Sequence, residues 1–212
     1  MRLIGIAGTS GSGKDSLGDY LEERLGGSLF CPKITLSDLL RVKGDGVYPS
    51  MPDDELETLA NNRRRTQGYD TLAREAVQWA QVRGRPMLVI TSIRHPAEAS
   101  YVLQYPTQDS RDLIWVDGPF DFRYARRASR VHQPGRPVPT YAQCKAQEER
   151  QFCGEGPFIN LGKVRALVPP ENHIWHDRPE KSLLYAQLDK IVARLGYTYV
   201  QECSFFKNSN SY

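Results

Sequence analysis

Apolar and polar positions form blocks along the chain that predict strands separated by helices. Short, mainly apolar runs at residues 3–7, 29–35, 87–90, 112–116 and 173–175 predict five strands. Several of these runs lack the alternation of a strand with one wet face, so we expect both faces of the sheet to be covered, as in a parallel sheet.

Helical periodicity connects the strands. Residues 15–25 place Leu17, Leu21 and Leu25 on one face and end at a Gly-Gly pair. Spacing and flanking turn residues predict further helices at 37–42, 53–65, 69–83, 120–129, 140–152 and 181–195. The alternation predicts an α/β fold with helices on both sides of a five-stranded parallel sheet, in one domain over residues 1–200, followed by a polar tail at 201–212.

Composition narrows the class of protein. Hydrophobic residues make up 40% and charged residues 25% of the chain, and no apolar run approaches the roughly 18 residues that a membrane-spanning helix needs. Four cysteines, Cys31, Cys144, Cys153 and Cys203, lack CxxC spacing. They indicate neither a zinc site nor a disulfide framework, and we expect a cytoplasmic protein without a membrane partner.

Charge adds local information only. The net charge of +3 is too small to predict a nucleic-acid partner by itself. Arg63–Arg65 end a predicted helix, where cations interact favourably with the helix dipole, so a solvated surface is the expectation there. A second cluster comprises Arg123, Arg126, Arg127, Arg130 and Arg136. The four histidines lack ligand spacing and receive no predicted role.

The segment between the first strand and the first helix carries the clearest chemistry. Residues 8–14 read Gly-Thr-Ser-Gly-Ser-Gly-Lys, which matches a P-loop up to its last position. Its glycines allow consecutive backbone N–H groups to face one anion, the helix N-terminus adds a positive end, and Lys14 can reach the β and γ phosphates. We therefore predict that a nucleoside triphosphate is bound by Gly8, Ser10, Gly11, Ser12, Gly13, Lys14, Asp15 and Ser16.

Asp15 stands where the strict pattern has a hydroxyl residue. Its carboxylate could bind Mg²⁺ directly or through water, while Ser16 takes the structural place of the hydroxyl. Alternatively, its negative charge could weaken nucleotide binding, or it could simply favour the first turn of the helix. Asp117, at the carboxyl end of a predicted strand, is a further metal candidate because ligands gather at that edge of α/β sheets.

The Gly-Lys-Asp sequence followed by Ser16 resembles the P-loop of phage-type deoxynucleoside monophosphate kinases and of animal-type phosphomevalonate kinases. Three later segments resemble nucleoside monophosphate kinases in the same order: residues 35–41, residues 91–98, and Val116-Asp117-Gly118-Pro119 followed by Arg126 and Arg130. Dephospho-coenzyme A kinases and archaeal adenylate-kinase-like proteins share the features around Arg94 and the lid.

This resemblance implies a P-loop kinase fold with an acceptor-binding helical insert at about residues 36–85 and a lid at about 126–152. It implies that Ser37, Arg41 and Arg94 bind the acceptor and that Arg126 and Arg130 close from the lid. The physics of phosphoryl transfer agrees, because moving a phosphoryl group between two anions requires cations on both. Arg126 and Arg130, four residues apart, would share a helix face, and so would Arg123 and Arg127.

The sequence therefore predicts a kinase that uses ATP and Mg²⁺ to phosphorylate a nucleoside or deoxynucleoside monophosphate, with Lys14, Arg94, Arg126 and Arg130 as its catalytic cations. Two alternatives stay open. The acceptor could be a non-nucleotide phosphate such as dephospho-coenzyme A or phosphomevalonate, or the chain could bind nucleotide without catalysis. Neither the acceptor's base and sugar nor the oligomeric state follows from the sequence.

Overall fold

The computed structural model describes residues 1–43, 46–47, 53–106, 111–129, 139–154 and 159–199, without the side chains of residues 41–43, 46–47 and 53–54. Strands occupy Arg2–Gly8 (β1), Lys33–Thr35 (β2), Val42–Lys43 (β3), Gly46–Val47 (β4), Met87–Ile93 (β5), Arg111–Asp117 (β6) and His173–Trp175 (β7). Five of them form one parallel sheet in the order β2-β5-β1-β6-β7, while β3 and β4 pair as an antiparallel hairpin.

Helices connect the strands. Their bounds are Lys14–Arg24 (α1), Leu36–Arg41 (α2), Asp53–Gln67 (α3), Thr71–Val82 (α4), Pro96–Gln104 (α5), Phe120–Ala128 (α6), Tyr141–Cys153 (α7), Leu161–Ala166 (α8) and Lys181–Arg194 (α9). Within the described part of the chain, no helix combines the length and apolar character needed to cross a bilayer.

The prediction of a five-stranded parallel sheet is confirmed, and burial explains why the strands read as continuous apolar runs. In β1, Leu3 and Ala7 pack into a core cluster on one face with residues of α2 to α5 and α8. Ile4 and Ile6 pack on the other face with residues of α1 and α9. Each strand position therefore meets an apolar layer, whichever way its side chain points.

Several elements differ from the predictions. The second strand begins only at Lys33, and Leu29 and Phe30 before it are exposed. Helices α5 and α8 were not predicted at all. Each is short, and their signals are local: His95 caps α5, which begins at Pro96, and Asn160 caps α8. Short capped helices of this kind carry little periodicity.

The sheet order determines what meets at its carboxyl edge. Strand β1 lies between β5 and β6, so the loop after β1 faces the ends of both neighbours. The β1–β5 register skips one residue near the end of β5, where Ser92 has a left-handed φ of 63°. A bulge of this kind redirects a side chain, and Ser92 lines the cavity described next.

Candidate functional site

The phosphate-binding loop depends on glycine where other chain segments approach. At Gly11 and Gly13 the φ angles are 80° and 103°, a region that strains other residues. A Cβ on Gly8 would lie 2.1 Å from the carbonyl oxygen of Val116, and one on Gly11 would lie 2.6 Å from that of Arg123. These glycines allow the loop to lie directly against β6 and α6.

Hydrogen bonds hold the loop from within and from β6. The Ser12 hydroxyl donates to the Thr9 carbonyl at 2.9 Å, and the Thr9 hydroxyl donates to Asp117 Oδ1 at 2.7 Å. Lys14 opens α1, is only 7% exposed, and has its Nζ 3.5 Å from the Thr9 carbonyl. The loop is therefore shaped before any ligand binds.

A cavity of about 410 Å³ opens beside this loop. The predicted residues that line it are Ser10, Gly11, Lys14, Asp15, Ser37 and Arg94. Among the described residues, Gly8, Ser12, Gly13, Ser16, Asp117 and Arg126 lie outside the lining. The side chain of Arg41 and all of Arg130 fall outside the described part of the chain.

Asp15 lines the cavity, and its Oδ1 is buried without a hydrogen-bond partner among the described residues. A buried oxygen with no donor costs free energy unless a ligand satisfies it. A hard cation suits a carboxylate oxygen, and Mg²⁺ in phosphate sites takes only one or two protein carboxylates. The described residues hold no cluster of three or more metal-ligating side chains. Asp15 beside Lys14 therefore fits an ion shared with phosphates.

Asp117 is engaged with the protein. Its Oδ1 accepts from Thr9 and from the Gly118 N–H at 2.8 Å, and it lies 3.4 Å from Arg123 Nε. Arg123 is 4% exposed, pairs with Glu148 on α7, and donates to the Ser10 carbonyl at 3.1 Å. This network joins β6, α6, α7 and the phosphate-binding loop.

The two other arginines of α6 point to different places. Arg126 Nη1 lies 2.7 Å from His176 Nδ1, which also lies 2.9 Å from the Ser12 carbonyl. Arg127 lines the cavity, and a Cβ on Gly11 would lie 3.2 Å from its Cγ. The sequence favoured Arg126 and Arg130 as the lid pair, but the side chain of Arg126 lies outside the cavity lining. Arg127, from the other predicted pair, lies within the lining.

His176 received no predicted role, yet it is 2% exposed and contacts the loop. Its Nδ1 can donate to Ser12 only when it carries the proton, and its Nε2 is buried without a partner among the described residues. The signal was its place just after a short strand, at the edge of the sheet where the loop lies. A lone histidine gives too little information to assign this contact.

The rest of the cavity lining combines apolar residues with polar side chains from several elements. Gln147 and Gln151 lie one helical turn apart on α7, and Gln151 Nε2 lies 3.4 Å from Glu57 Oε2 on α3. The other lining residues are Lys33, Thr35, Leu36, Asp38, Leu40, Leu56, Ala60, Arg64, Leu72, Ser92 and Ile159. In the sequence, their spacing of four residues indicates only that the two glutamines share a helix face.

Arg64 corrects the expectation that Arg63–Arg65 form a solvated cluster. Arg63 and Arg65 do have accessible side chains, but Arg64 is 3% exposed. It forms an ion pair with Glu98, which is fully buried, at 2.7 Å. A charged side chain is buried here because a carboxylate from a distant helix meets it.

Comparisons with known proteins agree with this architecture. A family model described as AAA domain (AAA_18) matches residues 4–148. A UPF0200 protein of Methanoculleus marisnigri is 26% identical over 199 residues, covering 92% of this chain and 98% of that protein.

Two solved structures resemble the fold. Shikimate kinase from Bacteroides thetaiotaomicron has a TM-score of 0.56 at 11% identity, covering 92% of this chain and 98% of that one. A sugar kinase from Janibacter sp. HTCC2649 has a TM-score of 0.50 at 18% identity, with 93% and 98% covered. The fold is a P-loop kinase-like fold.

Proposed function

The chain belongs to the AAA_18 family, described as AAA domain, and we propose that it is an ATP-dependent kinase whose acceptor is a small phosphorylated molecule. A nucleoside or deoxynucleoside monophosphate is the first candidate for the acceptor. One observation carries the proposal: a single cavity is lined both by the phosphate-binding loop and by Arg94 and Arg127 from two other elements. Such a cavity suits a reaction in which two anions, ATP and the phosphorylated acceptor, are bound next to each other.

The donor end of the cavity is assigned to the phosphate-binding loop. Its backbone N–H groups and Lys14 would hold the β and γ phosphates, with Arg127 opposite Gly11 as the cation from the lid. We keep the lid at residues 126–152, with Arg130 as a second candidate. Asp15 would hold Mg²⁺ directly or through water, and the ion would supply charge neutralisation between the phosphates.

The acceptor end is assigned to the helical insert at residues 36–85 and to the end of β5. Ser37 and Arg94 line the cavity, and Arg41, which follows Ser37 by one helical turn in sequence, ends helix α2. Arg94 would neutralise the acceptor's phosphate, because arginine keeps its proton and can donate two parallel hydrogen bonds.

The reaction needs no nucleophile from the protein. An oxygen of the acceptor's phosphate attacks the γ phosphorus in line, a bond forms between them, and the bond to the β–γ bridging oxygen breaks to release ADP. The chain's contribution is to hold both anions, neutralise charge with Lys14, Arg94 and Arg127, and exclude water that would otherwise hydrolyse ATP.

An acceptor screen tests this proposal. Purified protein, ATP and Mg²⁺ are incubated with each common ribo- and deoxynucleoside monophosphate, with dephospho-coenzyme A and with phosphomevalonate, and ADP release is followed. We expect ADP release that depends on one class of monophosphate. In an Arg94→Ala variant we expect the acceptor KM to rise about tenfold or more, as loss of a charged hydrogen bond predicts.

The screen separates the alternatives. Phosphorylation of only a non-nucleotide would reject the nucleotide acceptor but keep the kinase. ATP binding without acceptor-dependent ADP release would favour a non-catalytic module. An unchanged acceptor KM in Arg94→Ala would mean that the acceptor lies elsewhere, and Arg63→Ala, on a surface outside the cavity lining, serves as the control.

A second acceptor class is supported by the polar side chains that α3 and α7 contribute to the cavity. Glu57, Gln147 and Gln151 would suit an acceptor rich in hydroxyl groups, since carboxylate and amide oxygens accept hydrogen bonds from hydroxyls. The similar solved structures include a shikimate kinase and a sugar kinase. Shikimate and simple sugars therefore belong in the same screen, and turnover of one of them alone would replace the phosphorylated acceptor by a polyol.

A further inference from the structure

The buried ion pair between Arg64 and Glu98 joins two parts of the cavity that are far apart in sequence. Arg64 Nε and Nη2 both donate to Glu98 Oε1, at 3.0 and 2.7 Å. The two side chains are 3% and 0% exposed. Arg64 lies on α3 of the helical insert, whereas Glu98 lies in the first turn of α5, after β5. The pair thus connects the insert to the edge of the sheet.

The second oxygen of Glu98 holds the turn that carries Arg94. Oε2 accepts from the backbone N–H groups of Arg94 and His95, each at 3.1 Å. On the other side, the Arg94 carbonyl accepts from the Asn160 N–H at 3.2 Å. Both backbone hydrogen-bonding groups of Arg94 are therefore fixed, and one of them is fixed by the carboxylate that Arg64 orients.

Arg64 acts through Glu98, although it lines the cavity itself. Its Nε and Nη2 are used by Glu98, and its Nη1 donates to Asn61 Oδ1 at 3.3 Å. With each of its three nitrogens engaged inside the protein, its guanidinium is held in one orientation. Two donors on one oxygen hold Oε1 in place more firmly than a single donor could.

From this arrangement we propose that Arg64 and Glu98 are positioning residues that set the place of Arg94 relative to the helical insert. The proposal rests on the proposed function, in which Arg94 binds the acceptor's phosphate while the insert binds the rest of the acceptor. The ion pair keeps these two contacts in register, so one acceptor can make both. An ordinary structural ion pair would stabilise the fold without favouring one substrate over the other.

The variants are chosen to separate positioning from folding. Arg64→Met removes the cation and leaves Glu98 buried, which is expected to destabilise the fold. Arg64→Lys keeps the charge but not the paired donors. The double variant Arg64→Met with Glu98→Gln removes both buried charges, and the Gln carbonyl oxygen can still accept from the Arg94 turn but is no longer held in place by Arg64. Arg63→Met is the matched control, because the neighbouring Arg63 pairs with Glu75 at 3.1 Å and lies outside the cavity lining.

We expect the double variant to fold and to raise the acceptor KM about tenfold over Arg63→Met, since misplacement of a positioning group has effects of this size or larger. The KM for ATP should stay within about twofold, because the phosphate-binding loop is not touched by this pair. Arg64→Lys should fall between the control and the double variant. An acceptor KM equal to that of Arg63→Met, or an equal rise in the KM for ATP, would overturn the proposal.

Amide hydrogen exchange tests the pair without any activity. If wild-type protein phosphorylates no acceptor in the screen, the proposed function fails, but the Arg94 and His95 amides can still be followed by NMR. Faster exchange of these two amides in the double variant than in Arg63→Met supports the positioning role. Equal exchange in the two proteins refutes it.

Discussion

The sheet has similar polar side chains at its two edges, where the amino and the carboxyl ends of the strands lie, but these side chains have different roles. At the amino edge, Asp112 near the start of β6 accepts from the Tyr197 hydroxyl at 2.8 Å, and the Arg2 guanidinium lies 3.7 Å above the Tyr197 ring. At the carboxyl edge, Asp117 at the other end of the same strand accepts from Thr9 and contacts Arg123. Each edge thus has a carboxylate, a hydroxyl and a guanidinium.

The difference lies in what remains beside each cluster. The amino-edge contacts attach the segment after α9 to β1 and β6, and they lie outside the lining of the cavity beside the phosphate-binding loop. At the carboxyl edge, Asp15 Oδ1 has no hydrogen-bond partner among the described residues, and Arg127 lines a cavity with Lys14. Polar groups that are hydrogen-bonded to each other contribute to the stability of the fold. Polar groups that point into a cavity indicate a ligand-binding site.

Lys14→Met, at the carboxyl edge, is expected to have the largest effect. We expect kcat to fall about 10³-fold, because a preorganised cation at the transferring phosphate is removed. The unfolding temperature should change little, since Met fills the same space without a charge to bury. Steady-state kinetics and thermal unfolding measure the two effects. Retained turnover would mean that the loop does not hold the reacting phosphate.

Arg127→Met and Arg126→Met test two arginines of one helix whose side chains lie in different places. We expect a fall of about 10²-fold in kcat for Arg127→Met, because its side chain lines the cavity beside the phosphate-binding loop, where it would stabilise the transferring phosphate. A smaller loss is expected for Arg126→Met, whose guanidinium lies at His176. Parallel kinetic measurements of the two variants provide the test. The reverse order would return the catalytic role to Arg126, the residue that the sequence favoured.

Ser92→Gly tests backbone strain at the carboxyl edge. Ser92 has a φ of 63°, which glycine adopts without the cost of roughly 1–2 kcal/mol that other residues incur. We expect the free energy of unfolding to rise by about 1 kcal/mol after the greater flexibility of glycine is counted. Ser100→Gly, inside α5, is the control and should lower stability by a similar amount. If urea unfolding showed that both variants lose stability, the backbone at Ser92 would not be strained.

Tyr197→Phe tests the amino edge, where the smallest effect is expected. Burial raises the pKa of Asp112, while the Tyr197 hydrogen bond lowers it. Because the folded-state pKa is raised, this carboxyl favours folding most at low pH, and its contribution falls as pH rises through the folded pKa. Loss of the hydroxyl should therefore cost about 0.5–1 kcal/mol at neutral pH and less near pH 4.

Urea unfolding at the two pH values measures this change, and the kinetic constants provide the control. They should match those of the wild-type protein, since the amino edge lies at the opposite end of β1 and β6 from the cavity. An equal loss of stability at both pH values would mean that the Tyr197 hydroxyl does not stabilise the charged form of Asp112 more than the neutral form. A change in the acceptor KM would show that the two edges are coupled.

The parts of the molecule that the sequence predicted are those fixed by neighbouring residues. The segment 8–14 carries its own geometry, because each glycine allows a local backbone angle or a close approach to an adjacent strand. The sheet was predictable because strands buried on both faces are apolar at consecutive positions. These properties do not require knowledge of which helices meet.

The unpredicted parts depend on contacts between distant segments. Whether Arg126 or Arg127 of α6 faces the cavity depends on the rotation of the helix, which Arg123 fixes through Glu148 on α7. Arg64 is buried only because Glu98 meets it. Periodicity assigns positions to one helix face, but it does not state which partner covers that face.

The contact between His176 and the phosphate-binding loop also determines when the loop can reach its final form during synthesis of the chain. The His176 ring and the Ser12 carbonyl that it contacts are separated by 164 positions. The ribosome makes the chain from its amino end, and nascent segments fold as their partners emerge. The loop is made long before β7, yet it is completed only when β7 and the residue after it dock. A nascent chain arrested before His176 would therefore lack the final form of the nucleotide site.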